Sequence, residues 1–326
     1  MLERELVVVG GGPAGMAAAL AAQQAGVKDI LLLERDQYLG GILNQCIHPG
    51  FGLHHFKADL TGPEYADRFI KQVIPAKEIE VSLKSFVVKL CHVAAVFRPP
   101  QNGDLKVAST FPFLITYIKP GELVEVKAKA LIMATGCRER TREMVHVAGT
   151  RPAGIYPAGL AQKMINIEGW LPGKEVVIIG SGDIGLIMAR RFTLEGAKVK
   201  AVIEIQPESR GLVRNVVQCL EDFQIPLYLK HRVAKIHGQN RVEKVTVENT
   251  ENKETFELTC DTVLVSVGLI PENELIEMAG VTDVTKIAIP GLFVCGNSFK
   301  VYDLVDSVTR DSEKAGIAAA EYLKNV

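Results

Sequence analysis

One pattern of residues occurs twice in the chain, as LVVVGGGPAGMAAALAAQQAGVKDILLLE from Leu6 and as VVIIGSGDIGLIMARRFTLEGAKVKAVIE from Val176. Each copy runs as an apolar β-run, a glycine turn, an amphipathic helix, a second β-run and a terminal acid. The β-runs are apolar at successive positions, not at alternate ones, so a sheet with one wet face is a poor fit. The repeat therefore predicts parallel strands covered on both faces. Two such units predict an α/β protein with two Rossmann-like, three-layer dinucleotide-binding domains. At 326 residues the chain has room for two domains, each with its own core.

The glycine turns carry the chemistry. Gly10, Gly12 and Gly15 form G-x-G-x-x-G between strand and helix, with Pro13 and Ala14 inside the motif. The first glycine permits a tight turn, the second lets a pyrophosphate approach the backbone, and the third allows close helix–sheet packing. Phosphates then lie at the positive end of the helix. Glu34 ends the next β-run, placed to accept from ribose hydroxyls. Gly180, Gly182 and Gly185 repeat the arrangement, with Asp183 and Ile184 within the motif and Glu204 as the closing acid. An acid there accepts from a 2′-hydroxyl and repels a 2′-phosphate, which favours NAD(H) over NADP(H).

Between the copies, from Val81 to Ile132, come short β-rich runs: FVVKL, VAAVF, FLITYI and LVEVKAKALIMATG. They are broken by RPPQNG and KPGE, which are turn chemistry, and they predict a small antiparallel crossover sheet packed on the first domain. After the second copy, VEKVTVEN and TFELTCDTVLVSVG predict another antiparallel stretch. The run IPGLFVCGN and a helix over 306–324 then complete the first domain. The expected division is 1–142, an inserted NAD(H)-binding domain over 143–267, and 268–326.

A formal net charge of −1 gives no field that would recruit nucleic acid or an anionic membrane. The six cysteines contain no C-x-x-C, so neither a metal site nor a close-spaced redox dithiol is predicted. MLEREL lacks the pattern of a signal peptide, and no run approaches the ~20 apolar residues of a membrane span. A soluble, cytoplasmic protein is expected.

With these motifs the chain resembles the two-dinucleotide-binding-domain flavoproteins, the superfamily of thioredoxin and glutathione reductases. Gly10 to Gly15 resembles their FAD fingerprint, and Gly40-Gly41 matches the glycine pair after the ribose acid. Ala134-Thr135-Gly136 resembles their ATG motif. Gly291 to Asn297 resembles the late FAD motif, with Gly296-Asn297 where Gly-Asp is usual. The resemblance implies bound FAD and NAD(H). It also implies that Val87 offers its backbone to the adenine, that the C-terminal helix points its N-terminus at the flavin pyrimidine, and that Gly268 belongs to the NAD site.

The resemblance also marks a departure. Glutathione-reductase-like members carry two cysteines after the glycine pair, whereas here Gly40-Gly41-Ile42-Leu43-Asn44-Gln45-Cys46 holds one. Thioredoxin-reductase-like members carry a dithiol where this chain reads Ile155-Tyr156-Pro157-Ala158-Gly159-Leu160. Ordinary dithiol relay chemistry, which needs two sulfurs within bonding distance, is not expected. Cys46 is either a single redox thiol or a small buried residue. His48, His54 and His55 are either acid–base groups at the flavin, His48 first, or satisfied loop residues.

ATGCRERTR from Ala134 and GSGDIGLIMARR from Gly180 are similar to FAD subunits of multi-subunit bacterial dehydrogenases. These include opine and cyanide-forming amine dehydrogenases, sarcosine oxidase α-subunits and flavoproteins associated with anaerobic glycerol-3-phosphate dehydrogenases. Some carry a cysteine-rich C-terminal extension, and Val326 closes this chain without one. The Arg138-Glu139-Arg140 run is either a solvated loop or a basic segment near a nucleotide. The expectation is an FAD- and NAD(H)-dependent oxidoreductase that serves as an electron-transfer subunit beside a dehydrogenase partner. A homo-oligomer acting alone through Cys46 on a small electron donor or acceptor, and a non-catalytic assembly subunit, are the alternatives.

Overall fold

The computed structural model describes residues 2–92 and 111–326. It forms two compact units, residues 1–137 with 271–326, and residues 138–270. The inserted unit is thus slightly longer at both ends than the span 143–267.

Among the described residues the first unit holds a seven-stranded sheet. From one edge its path is Ile79–Ser82, Ile30–Leu33, Leu2–Val9, Glu122–Met133, Phe113–Lys119 and Phe86–His92, and Leu292–Val294 also pairs with Glu122–Met133. Leu2–Val9 lies parallel to both of its neighbours. Leu6 and Val8 enter one apolar core with Met16 and Ala18 of the helix Pro13–Gln24, whereas Val7 and Val9 enter another with Phe113 and Ile115. With both faces buried, the uninterrupted apolar run is what the position demands.

The strand Glu122–Met133 is long enough to serve two pairings. It runs antiparallel to Phe113–Lys119 over residues 122–128, and parallel to Leu2–Val9 over 126–133. The antiparallel crossover strands therefore continue the hydrogen-bonded parallel sheet and do not stand apart from it. The run VAAVF and the turn RPPQNG lie outside the described residues.

The second unit repeats the plan. Five parallel strands run in the order Ile155–Pro157, Thr262–Val265, Glu175–Ile179, Lys198–Ile203 and Leu227–Tyr228. Ile178 packs under the helix Asp183–Leu194 with Met188 and Phe192, and Val177 faces the opposite core. That second core is closed by His231–His237, Lys244–Asn249 and Thr255–Thr259, which pair antiparallel. Of the run TFELTCDTVLVSVG, expected to be antiparallel, only Thr255–Thr259 is so. Thr262–Val265 joins the parallel sheet instead, being apolar at successive positions and buried on both faces.

In the first unit the helix Pro13–Gln24 packs on the C-terminal helix Val305–Leu323 through small residues. A Cβ on Gly316 would lie 2.2 Å from the Ala18 carbonyl oxygen, so this crossing is as close as backbones allow. Gly316→Val should cost about 3 kcal/mol by overpacking. Guanidinium unfolding at fixed cofactor content measures it, and a midpoint equal to that of the parent protein would contradict the close crossing.

Candidate functional site

Both glycine turns lie at the C-terminal ends of central parallel strands, where ligands of open α/β sheets bind. The outer glycines of each motif are required by the fold itself. Gly10 has φ +109°, and a Cβ there would sit 2.3 Å from the Ala134 carbonyl oxygen. Gly180 has φ +98°, with the Ser266 carbonyl oxygen 2.1 Å from its Cβ position. Gly15 and Gly185 leave room for the carbonyls of Gly10 and Gly180, at 1.7 and 2.5 Å.

The middle glycines differ. Gly12 and Gly182 have φ −76° and −67° with extended ψ, conformations open to any residue. A Cβ on Gly12 would meet only the Gly41 Cα, at 3.9 Å, and one on Gly182 would meet nothing within 4 Å. Neither fold nor packing calls for glycine at these two positions. Each precedes a helix, Pro13–Gln24 or Asp183–Leu194, whose first turn has no side-chain cap. Bare backbone, open space and uncapped amide donors are what a pyrophosphate needs.

The two ribose-type acids are buried and act on the turns. The Glu34 carboxylate accepts from Gly11 N and Asp36 N, both at 2.7 Å. The Glu204 carboxylate accepts from Ser181 N at 2.9 Å, Ser181 Oγ at 2.7 Å and Gln206 N at 2.9 Å. Glu34 is 6% and Glu204 5% exposed, so neither is a solvated strand-end acid. A carboxylate has about four acceptor sites, so both retain capacity for a hydroxyl.

The remaining FAD-type motifs converge on the first turn. Gly41 approaches Gly12, its Cβ position lying 3.1 Å from the Gly12 Cα. Ala134 abuts Gly10, and Gly296 faces Ala14, with 2.7 Å from its Cβ position to the Ala14 Cβ. Thr135 Oγ1 donates to the Glu272 carbonyl at 2.7 Å, and Gly136 N donates to Ser298 Oγ at 2.8 Å. Asn297 Oδ1 accepts from Tyr302 N at 3.0 Å, and its amide nitrogen donates to Cys137 Sγ at 3.5 Å. Val87 lies at a register shift in the strand Phe86–His92, two residues beyond Ser85, whose N–H donates to the Glu34 carbonyl at 2.8 Å. In the second unit Asp183 Oδ1 accepts from Leu212 N at 2.8 Å and Asn215 Nδ2 at 2.7 Å. Ile184 packs at the edge of that unit's core, and Gly268 has φ +103° with open space at its Cβ position.

Residues without a motif hold these loops. Ser181 Oγ, beyond donating to Glu204, accepts from Arg210 N at 3.3 Å. Asp311 accepts from Gly296 N at 3.0 Å. Only the polar side chain of Ser181 inside an otherwise bare G-x-G could have signalled such a role.

Cys46 is 6% exposed, and burial pushes its thiol up to about 12. Cys260 and Cys295 are held at about 12 by the same cause. At neutral pH these groups are thiols and not nucleophilic thiolates. His48 is half-buried with Nδ1 3.0 Å from the Pro49 carbonyl, and its ring lies 5.0 Å from that of Phe51. His55 stacks on Phe69 at 5.6 Å, and His54 N donates to Asp306 at 3.0 Å.

Glu139, the acid of the Arg-Glu-Arg run, is tied to the inserted unit. It closes a short strand, Cys137–Glu139, and accepts from Gly159 N at 2.6 Å and Leu160 N at 3.2 Å. The carboxylate thereby caps the helix Ala158–Asn166, and burial holds its pKa above the usual range despite these two bonds. Among the described residues no group of His, Cys, Asp or Glu is arranged to hold a metal, and no helix is long and apolar enough to cross a membrane.

Two dinucleotide folds with paired glycine turns and buried acids define a class of nucleotide-dependent oxidoreductases. The family model for pyridine nucleotide-disulphide oxidoreductases matches residues 4–305, and the chain belongs to that family. It is 25% identical over 359 aligned positions to dihydrolipoyl dehydrogenase 1, mitochondrial, of Arabidopsis thaliana, covering 98% of this chain and 66% of that one. It is 26% identical to hydrogen cyanide synthase subunit HcnB of Pseudomonas protegens, covering 84% of this chain and 58% of that one. The chain thus spans about two thirds or less of the length of these two relatives. Thioredoxin reductase of Lactococcus lactis superposes with a TM-score of 0.75 at 19% identity, covering 99% of this chain and 100% of the other, and so shares its fold. FAD and NAD(P)H are the cofactors of this family.

The two kinds of glycine in each turn predict opposite mutational outcomes. Gly182→Ala should leave the melting temperature unchanged and weaken NADH binding at least about tenfold. Gly180→Ala should prevent folding or cost several kcal/mol. Calorimetric NADH titration and thermal unfolding separate the two, and parent-like NADH affinity in Gly182→Ala would remove the ligand from that turn.

Proposed function

We propose that this chain is an FAD-dependent oxidoreductase that passes hydride between NAD(H) and FAD without a dithiol relay, as an electron-transfer subunit of a larger dehydrogenase. The observation that carries it is the pair Gly12 and Gly182, bare backbone facing open space at the mouths of two dinucleotide folds. Bound there, the cofactors supply the hydride chemistry between nicotinamide C4 and flavin N5.

The chain's own residues bind and orient. Gly10, Gly12, Pro13, Ala14, Gly15, Glu34 and Gly41 hold FAD, with Val87, Ala134, Thr135, Gly136, Gly296 and Asn297. Gly180, Gly182, Asp183, Ile184, Gly185, Glu204 and Gly268 hold NAD(H). The buried Glu204 carboxylate, already accepting three hydrogen bonds, has no means of satisfying a 2′-phosphate, which selects against NADP(H). Cys46, buried and held as a thiol, is no relay, and residues 155–160 carry no cysteine. The subunit role is supported by the likeness to HcnB, by its printed name a subunit of hydrogen cyanide synthase.

Under anaerobic mixing NADH should bleach the flavin faster than NADPH, and Glu204→Ala should narrow the preference. Cys46→Ser should keep the rate within about tenfold, or 1.4 kcal/mol of barrier. A preference for NADPH overturns the role of Glu204, and a larger loss in correctly folded, FAD-loaded Cys46→Ser makes Cys46 the redox thiol. For the subunit role, the tagged protein at native expression should co-purify with a dehydrogenase chain identified by mass spectrometry. A lone homo-oligomer that turns over NADH with oxygen or a small substrate at tens per second overturns it.

A further inference from the structure

The inserted unit contains a pocket of about 270 Å³ that shares no residue with its glycine turn. Its apolar wall includes Ile155, Pro157 and Val265. Pro157 and Val265 are the last residues of two adjacent parallel strands, Ile155–Pro157 and Thr262–Val265. The pocket therefore opens at the strand ends where ligands of such sheets collect. Its polar side is formed by Arg142, Arg151 and Glu143, with Thr141 beside them.

Arg142 is the unusual member. Its side chain is 7% exposed, and its bonds all run to main-chain carbonyls of the loop that follows it. Nη1 donates to Thr150 O at 2.5 Å, Nε to Val147 O at 3.4 Å, and Nη2 to the carbonyls of Val147, Ala148 and Gly149 at 3.2, 3.4 and 3.3 Å. Four successive carbonyls converge on one guanidinium because Gly149 takes φ +104°, where a Cβ would lie 1.9 Å from the Ile236 carbonyl oxygen. The loop thus fixes the cation in place but supplies only partial charges. A buried cation held mainly by carbonyl dipoles, with the single Glu143 carboxylate shared between it and Arg151, is costly, and an anion arriving beside it recovers part of that cost. Nη1 has two N–H groups and spends one on Thr150.

Arg151 adds a second positive charge to the lining and is exposed. Glu143 is the opposing charge, and with two arginines the lining is left net positive. Hydrogen bonds from its own backbone and from Thr141 chiefly hold the Glu143 carboxyl below its ordinary range, and Arg151 and Arg142 lower it further.

We infer that this pocket binds a small organic anion, its carboxylate or phosphate head on the Arg142–Arg151 side and a short apolar body against Ile155, Pro157 and Val265. The cavity falls just below the range of about 300–1,000 Å³ typical of small-molecule sites, so the body is a few carbons long. Arg142 is the preorganised cation, and Arg151 is the exposed one that pairs with the head. The lining shares no residue with either glycine turn, but Val265 precedes Ser266, whose carbonyl abuts Gly180. Unchanged NADH affinity in Arg151→Gln is therefore what distinguishes this site from the nucleotide site.

Calorimetric titration of the purified protein in a low-chloride buffer tests this, with butyrate, acetate and inorganic phosphate as probes. Saturable one-to-one binding is expected, with butyrate tighter than acetate if the head is a carboxylate, or with phosphate the tightest if it is a phosphate. Arg151→Gln should weaken that binding at least tenfold while thermal unfolding stays at the parent value. Arg214→Gln, an exposed arginine of the same unit, should leave the affinity unchanged. No saturable heat from any probe, or equal affinity in Arg151→Gln, overturns the site, as does an equal loss in Arg214→Gln.

Discussion

Each half of this protein depends on one contact: a main-chain carbonyl pressed against the face of a glycine. The Ala134 oxygen occupies the space where Gly10 would carry a Cβ, and the Ser266 oxygen does the same at Gly180. That contact lets two parallel strands end side by side while one turns at once into a helix. The third glycine then lets that helix return over the turn, with Gly15 against the Gly10 carbonyl and Gly185 against that of Gly180. Only after this backbone is set does the middle glycine acquire meaning, as a place left bare for something else.

The acids complete the same device. Glu34 and Glu204 each reach from the end of the next strand to the N–H at the centre of the turn, Gly11 or Ser181. Each also takes the N–H two residues beyond itself, so one carboxylate ties two loops together. The copies are not equivalent. Ser181 gives the second turn an additional hydroxyl bond to its acid, and this leaves Glu204 fewer open lone pairs than Glu34 has.

Much of this was legible because it rests on short-range rules. Glycine spacing, unbroken apolar runs and a terminal acid declare a dinucleotide fold from local text alone, and the parallel sheets followed from them. What was illegible depends on distant partners. Nothing near Glu122 shows that one strand will pair antiparallel at its start and parallel at its end. Nothing around Arg142 shows that the next loop will turn four carbonyls inward, since that depends on Gly149 meeting Ile236. Cys46 shows the limit from the other side. Its position suggested chemistry, and only its burial reveals how little thiolate it holds.

The interrupted first unit has a consequence for synthesis. Its last strand, Leu292–Val294, and its closing helix, Val305–Leu323, are made only after all of residues 138–270. A chain leaving the ribosome at about 5–20 residues per second therefore completes the inserted unit first. Until then the helix Pro13–Gln24 waits with its alanine face uncovered, because Gly316 is what packs on Ala18. The first strand and helix are therefore covered only after the intervening unit is made, in a fold rich in long-range contacts, which form slowly. For that interval the alanine face of Pro13–Gln24 is uncovered apolar surface of the kind chaperones protect.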